Sequence, residues 1–235
     1  MTNQPRLMNP TASWSLADMH GLLLDFNGTL SNDERLLCDL IRRMAWEYLG
    51  VHLTAERYTA DCSGLSDRSI LTLLAHESTR PHSSIDVMLA ELSDRYRRAA
   101  ASVELISQPA RDFVREASVL GLALAVVTGA SRTSVLPALR RAGLHELLST
   151  VVAEEDVTDG KPHPEGYLRG AVLLGLRDPR RVVVLEDSIP GMLAARAAGM
   201  RVLAVAGTHT TDELWPHCDG VLDALRPSVL SQRFS

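Results

Sequence analysis

The sequence predicts an α/β fold: a doubly wound parallel sheet with an inserted all-helical cap. Three observations carry this expectation. Gly21-Leu22-Leu23-Leu24, Ala123 to Val127 and Arg181 to Leu185 are short apolar runs of the kind produced by parallel strands buried on both faces. Helical periodicity separates later runs of this kind, so strands and helices alternate. Between the first two runs lie about ninety residues with no strand signal, far more than a βα connection holds, so a separate helical lobe must fill them.

In chain order, residues 1 to 19 are polar, contain Pro5 and Pro10, and are expected to form a loose lead-in. The first strand ends at Leu24 and delivers Asp25 into the turn Phe26-Asn27-Gly28-Thr29-Leu30. Leu36, Leu37, Leu40, Ile41, Met44 and Tyr48 then recur at helical intervals. Ile70, Leu71, Leu73 and Leu74 follow Ser66, a candidate N-cap. A third helix is expected over Ile85 to Ala101, with Val87, Met88, Leu89, Leu92 and Tyr96 facing inward. These boundaries place the helical cap at 31–105 and the core at 1–30 and 106–235.

A helix from about Pro109 leads into the second strand, which ends in Thr128-Gly129. Another helix starts near Ser131 and stops near Gly143. Val151 to Ala153 forms a short third strand, followed by the loop Asp159 to Pro164 and a helix through Leu174. The fourth strand, from Arg181, ends in Glu186-Asp187. Ser188 caps the next helix, with Pro190 in its first turn. Strands at Val202 to Val205 and Val221 to Leu222 complete the alternation.

A parallel sheet brings the carboxyl ends of its strands to one edge, so Asp25, Thr128 and Glu186-Asp187 should meet there, with Lys161 supplied by a loop. Their chemistry is complementary. Carboxylates from two strands suit a hard divalent cation such as Mg2+, which takes one or two carboxylates plus phosphate and water. A hydroxyl, an ammonium and turn amides suit phosphate oxygens, and a carboxylate beside the metal can attack phosphorus. Metal-assisted phosphoryl transfer through Asp25 is the chemistry this pattern implies.

Bulk properties narrow the partners. A formal net charge of -5 without any Lys/Arg-rich tract leaves no footprint for nucleic acid. No run approaches the roughly 18 apolar residues of a membrane helix. Cys38, Cys62 and Cys218 are odd in number and widely spaced, which speaks against a disulfide framework or zinc site and for a reducing compartment. A cytoplasmic monomer acting on a small phosphorylated substrate is the expectation. Lys161 is the only lysine.

These residues resemble the haloacid dehalogenase superfamily, in the helical-cap subclass that contains β-phosphoglucomutase and sugar or polyol phosphatases. Asp25 to Leu30 is similar to the first motif of that family, Val126 to Gly129 to its second, Gly160-Lys161-Pro162-His163-Pro164 to its third, and Leu185-Glu186-Asp187-Ser188 with Gly191 to its fourth. The resemblance implies a Rossmann-like core, Asp25 as nucleophile, and Thr128, Gly129 and Lys161 gripping phosphate. It also implies Mg2+ bound by Asp25, the Asn27 carbonyl and Asp187, with Glu186 as a further candidate. Gly64 to Arg68 resembles the cap loop that meets substrate, which makes Arg68 a candidate substrate contact. Gly160 to Leu168 and Gly207-Thr208-His209-Thr210 look most like the sugar and polyol phosphatases. The cap carries no lysine for Schiff-base chemistry, and the first motif differs from that of true dehalogenases, so carbon–phosphorus and carbon–halogen cleavage are not expected.

One departure stands out. The family commonly has Asp two residues after the nucleophile, as general acid and base, and here that residue is Asn27. An amide has no proton to transfer, and losing such a group costs roughly 10²- to 10⁴-fold in rate. Slow turnover, a persistent aspartyl-phosphate, or rescue by His163 or His209 are the open consequences. A β-phosphoglucomutase-like phosphotransferase and a phosphate-metabolite-binding pseudoenzyme are the alternatives to a phosphatase.

Overall fold

The computed structural model describes residues 13–78 and 80–234. The greater part of the expected loose lead-in, residues 1–12, lies outside them. The rest of it, by contrast, is tied down. Trp14 pairs with Phe234 by backbone hydrogen bonds in both directions, and their rings stack with centroids 5.0 Å apart. Trp14 and Leu16 are buried in the main core. This contact spans nearly the whole chain, which is why a polar local composition did not announce it.

Six parallel strands form one sheet: β1 (Gly21–Leu24), β2 (Ala123–Val127), β3 (Thr150–Val152), β4 (Val182–Glu186), β5 (Arg201–Val205) and β6 (Gly220–Leu222), in the order β3-β2-β1-β4-β5-β6. The central pair is in register, with Leu24 opposite both Val126 and Leu185. Side chains alternate between faces. Leu22, Leu24, Val126 and Leu185 enter the larger core, whereas Leu23, Ala125, Val127 and Val184 enter the smaller one. Burial on both faces explains the unbroken apolar runs.

Between β1 and β2 there is no strand among the described residues. The segment holds α1 (Glu34–Met44), a π-helical turn over Ala45–Leu49, α2 (Ala55–Asp61), α3 (Asp67–His76), α4 (Ile85–Ala100) and α5 (Gln108–Val119). Ser66, Ser84 and Ser107 cap α3, α4 and α5 by accepting from backbone amides three residues on. The buried stripe of α4 runs Met88, Leu92, Tyr96, Ala100 at four-residue steps. Val87, expected inward, lies off that stripe and is 54% exposed. The helical insert is not a separate oil drop, because Ile41, Ile70 and Met88 share one continuous core with Leu22 and Phe113.

The second half alternates as expected: α6 (Arg132–Arg141), α7 (Glu165–Leu173), α8 (Ile189–Ala197) and the short α9 (Thr211–Leu214). Leu23 and Val127 share the smaller core with Tyr167 and Ala171 of α7. Among the described residues no helix is long and apolar enough to cross a membrane.

The closure between the two chain ends yields a first prediction. Trp14→Ala removes a buried indole from the Phe234 contact and should lower unfolding free energy by about 3–5 kcal/mol. Urea unfolding followed by circular dichroism measures this.

Candidate active site

The edge where the strands end carries the chemistry. β1 and β4 are neighbours, so Asp25, just beyond β1, stands beside Glu186 and Asp187, at and just beyond the end of β4. Ligand oxygens of Asp25, Glu186 and Asp187 lie within 4.8 Å of one another. Three carboxylates this close and this buried repel strongly. Lys161 answers two of them: its Nζ donates to Asp25 Oδ1 and to Glu186 Oε1. Burial alone would lower the Lys161 pKa, but the charges of Asp25 and Glu186 outweigh that and hold it above its ordinary value.

Glu186 is fully buried and fully used. Besides Lys161, its Oε1 accepts from the Tyr167 hydroxyl at 2.8 Å. Its Oε2 accepts from the Asp187 and Ser188 amides and from Ser188 Oγ, at 3.1, 3.0 and 2.8 Å. A carboxylate so occupied anchors the lysine. Gly191 is required for this packing, since a Cβ there would overlap the Glu186 carboxylate. Ser188 Oγ also accepts from the Gly191 amide at 3.2 Å, so one hydroxyl both starts α8 and holds Glu186.

Asp187 is oriented differently. Thr29 Oγ1 donates to its Oδ1 at 3.0 Å, and Thr208 Oγ1 donates to its Oδ2. Gly28, at φ +76°, brings the turn so close that a Cβ would overlap Asp187. The pKa values of Asp25 and Asp187 are raised well above the carboxylate range, first by burial; Glu186 repels both, whereas Lys161 pulls both down. Counted as ionised, the three acids and one ammonium leave two negative charges in excess, a donor set that suits a hard divalent cation.

Thr128 continues β2 through its amide to the Val152 carbonyl, 2.9 Å, and its Oγ1 accepts from the Ala130 amide at 3.1 Å. The hydroxyl proton remains free for a ligand oxygen. Asp25, Asn27, Thr128, Gly129, Lys161 and Asp187 line one small cavity of about 20 Å³. The helical insert closes it: the Asp67 amide donates to the Gly129 carbonyl at 3.3 Å, and Glu34, Tyr58 and Asp67 complete the wall.

Arg68 is not brought there. It opens α3, but its guanidinium turns into an outer cleft, donating to Asp86 at 2.8 Å and lying 3.6 Å from Glu154. His163 is exposed and accepts from the Glu165 amide. Burial lowers the His209 pKa, which favours the neutral form of its ring.

Asn27 has a specific partner. Its Nδ2 donates to Asp33 Oδ2 at 2.9 Å, and the Tyr96 hydroxyl of α4 donates to the same oxygen. An amide fits here, whereas a carboxylate at residue 27 would face Asp33 across a hydrogen-bond distance. Asp33, Tyr96, Tyr167, Thr208 and Glu34 were absent from the sequence-based site. Tyr167 had a usable signal, lying six residues past Lys161 at a buried position of α7.

A scan of this chain against family models matches haloacid dehalogenase-like hydrolases over residues 22–205. The chain belongs to that family. It is 28% identical over 207 residues to a bifunctional riboflavin kinase/FMN phosphatase of Arabidopsis thaliana, a match over 87% of this chain but only 53% of that protein. A phosphorylated carbohydrates phosphatase of Thermotoga maritima is 27% identical, over 77% of this chain and 82% of its own. The crystal structure of CbbY from Rhodobacter sphaeroides in complex with phosphate superposes with a TM-score of 0.77 at 26% identity, over 88% of this chain and 95% of that one.

The electrostatics of the wall give a stability prediction. Burial, with repulsion from Glu154, pushes the Asp67 carboxyl up to about 8, from an ordinary 3.8. Between those values the folded chain holds a proton that the unfolded chain has released, so stability must fall as pH rises. The urea midpoint should therefore drop between about pH 5 and pH 8, and drop less in Asp67→Asn.

Proposed function

We propose that the chain is a Mg2+-dependent phosphatase acting on a small phosphorylated sugar, polyol or related metabolite through an aspartyl-phosphate on Asp25. What carries this reading is the convergence of Asp25, Thr128, Gly129, Lys161 and Asp187 on one cavity. Membership of a hydrolase family, and the phosphatase names of the two relatives, support it. In this reading residues 31–105 act as the cap over a core of 1–30 and 106–235, closing on the Gly129 turn and excluding bulk water.

The geometry supports a role for each residue in this reading. Asp25 Oδ attacks phosphorus, the bond to the ester oxygen breaks, and the leaving alkoxide takes a proton. Water then attacks the phosphorus of the aspartyl-phosphate and frees Asp25. Thr128 Oγ1, the turn amides at Gly129 and the Lys161 ammonium hold phosphate oxygens, and Glu186 with Tyr167 fixes Lys161. Asp25, Asp187 and the Asn27 carbonyl would hold Mg2+, which offsets phosphate charge when bound. Glu186 is better suited to positioning, since both its oxygens are taken. The three cysteines are free and buried, which supports a reducing, cytoplasmic compartment.

Asn27 favours a slow second step. Neither proton transfer has a titrating group at residue 27, so the aspartyl-phosphate should persist, and the binder and phosphotransferase readings remain outcomes of the same assay. Phosphate release with Mg2+ should be measurable and abolished by chelation. Restoring the acid requires its neighbour to change as well. Asn27→Asp alone sets two carboxylates together, whereas Asn27→Asp with Asp33→Asn rebuilds the hydrogen bond in reverse. The double variant should exceed the parent by roughly 10²-fold or more in kcat, and exceed the single variant too. No phosphate release by any of the three proteins would defeat the hydrolase reading. A requirement for a sugar bisphosphate would turn it into a phosphotransferase.

A further inference from the structure

Residue 27 has no proton to give, and its amide is spent on Asp33. Neither His163 nor His209 lines the cavity that holds Asp25. Besides Asp25 and Asp187, the titratable groups that do are Lys161, Tyr58, Asp67 and Glu34. Despite its burial, Lys161 is held in its charged form by Asp25 and Glu186. Burial keeps the Tyr58 phenol protonated far above neutrality. Two carboxyl groups are left.

Glu34 is the better placed of them. It stands in the first turn of α1, nine residues after Asp25, so a short segment ties it to the nucleophile. Its Oε1 is buried and has no hydrogen-bond partner among the described residues. A buried polar atom left this way is costly and uncommon, and calls for a partner from outside the chain. The Asp25 charge bears on Glu34, whereas the acids that bear on Asp67 are Glu154, Asp33 and Glu155. Asp67 also lines the outer cleft, and so stands at the far boundary of the cavity. At about 20 Å³ the cavity takes about one water, the reactant that the second step consumes. Burial, reinforced by Asp33, Asp25 and Asp67 and opposed by Tyr58, raises the Glu34 pKa to about 7. Near neutrality such a group can both give and take a proton.

We propose that Glu34 is the general acid and base of this site, supplying from α1 the proton transfers that Asn27 cannot. This rests on the phosphatase reading of the same cavity and adds a catalytic residue to it. In the first step the Asp25 Oδ–P bond forms as the P–O bond to the organic group breaks. The electron pair of that bond stays on the ester oxygen, which takes the proton of the Glu34 carboxyl. In the second step the Glu34 carboxylate takes a proton from water as the water oxygen bonds to phosphorus. The bond from phosphorus to Asp25 then breaks, and its electron pair returns to the Asp25 carboxylate. Glu34 ends protonated, as it began.

The leaving group separates a proton donor from a group that only supports the fold. A 4-nitrophenolate leaves without a proton, whereas a hexitol alkoxide needs one. Rapid-quench formation of aspartyl-phosphate with Mg2+, from 4-nitrophenyl phosphate and from a hexitol 6-phosphate, reads the first step. Decay of the aspartyl-phosphate formed from acetyl phosphate reads the second. Glu34→Gln, its fold checked by circular dichroism, should slow formation from the hexitol phosphate roughly 10²-fold and from the nitrophenyl ester less than about threefold. It should also lengthen the aspartyl-phosphate lifetime at least about tenfold. Asp67→Asn should keep the parent's ratio between the two esters. With the acid restored in the Asn27→Asp, Asp33→Asn double variant, adding Glu34→Gln should cost less than about threefold on the hexitol phosphate. Equal loss on both esters, an unchanged lifetime, or a ratio that moves in Asp67→Asn instead overturns the inference and leaves the phosphatase reading standing. A parent that forms no aspartyl-phosphate from any of the three donors overturns both.

Discussion

The site depends on one buried cation. Lys161 lies between Asp25 at the end of β1 and Glu186 at the end of β4, two acids that the parallel register forces side by side. Removing the ammonium would leave neighbouring buried carboxylates uncompensated, an arrangement that costs several kcal/mol or is relieved by protonation. Protonated Asp25 is no nucleophile. In the proposed reaction the lysine therefore serves the fold and the chemistry together, and the donors around Glu186 hold the carboxylate that anchors it. Asp187, held instead by two threonine hydroxyls, is left to face the cavity.

The second constraint is the fit between helical insert and turn. Asn27, Asp33 and Tyr96 form a chain from the loop that follows Asp25 to α4. Closing the insert thus engages the loop that carries Asp25. The same chain accounts for the amide: Asp33 needs a donor from residue 27, and an asparagine supplies it. The absence of a titrating group at residue 27 and the fixed contact to Asp33 therefore go together.

Much of this was legible from residue order. Apolar runs ending in Asp25, Thr128 and Glu186-Asp187 were readable because strands buried on both faces leave no polar interruption until the sheet edge. The insert was readable from the missing strand signal. Three things were not. The short helices α2 and α9 have too few residues for periodicity to register. The Trp14 contact with Phe234 and the Asp33 contact with Tyr96 join residues far apart in the chain, which spacing does not encode. Arg68 carried the right charge on the right loop, yet acidic neighbours on α4 and after β3 draw it outward. Its neighbour Asp67, an unremarkable acid in the sequence, holds the position in the cavity wall.

The central claim is that Asp25 carries the phosphate and that the chain as written releases it slowly. Exposing the protein to acetyl phosphate with Mg2+, quenching in acid and mapping the phosphate by peptide mass spectrometry tests this directly. The account predicts phosphate on Asp25, absent in Asp25→Asn, with a lifetime shortened in the Asn27→Asp, Asp33→Asn double variant. Steady phosphate release with no trace of modified Asp25 in any of these proteins would contradict it.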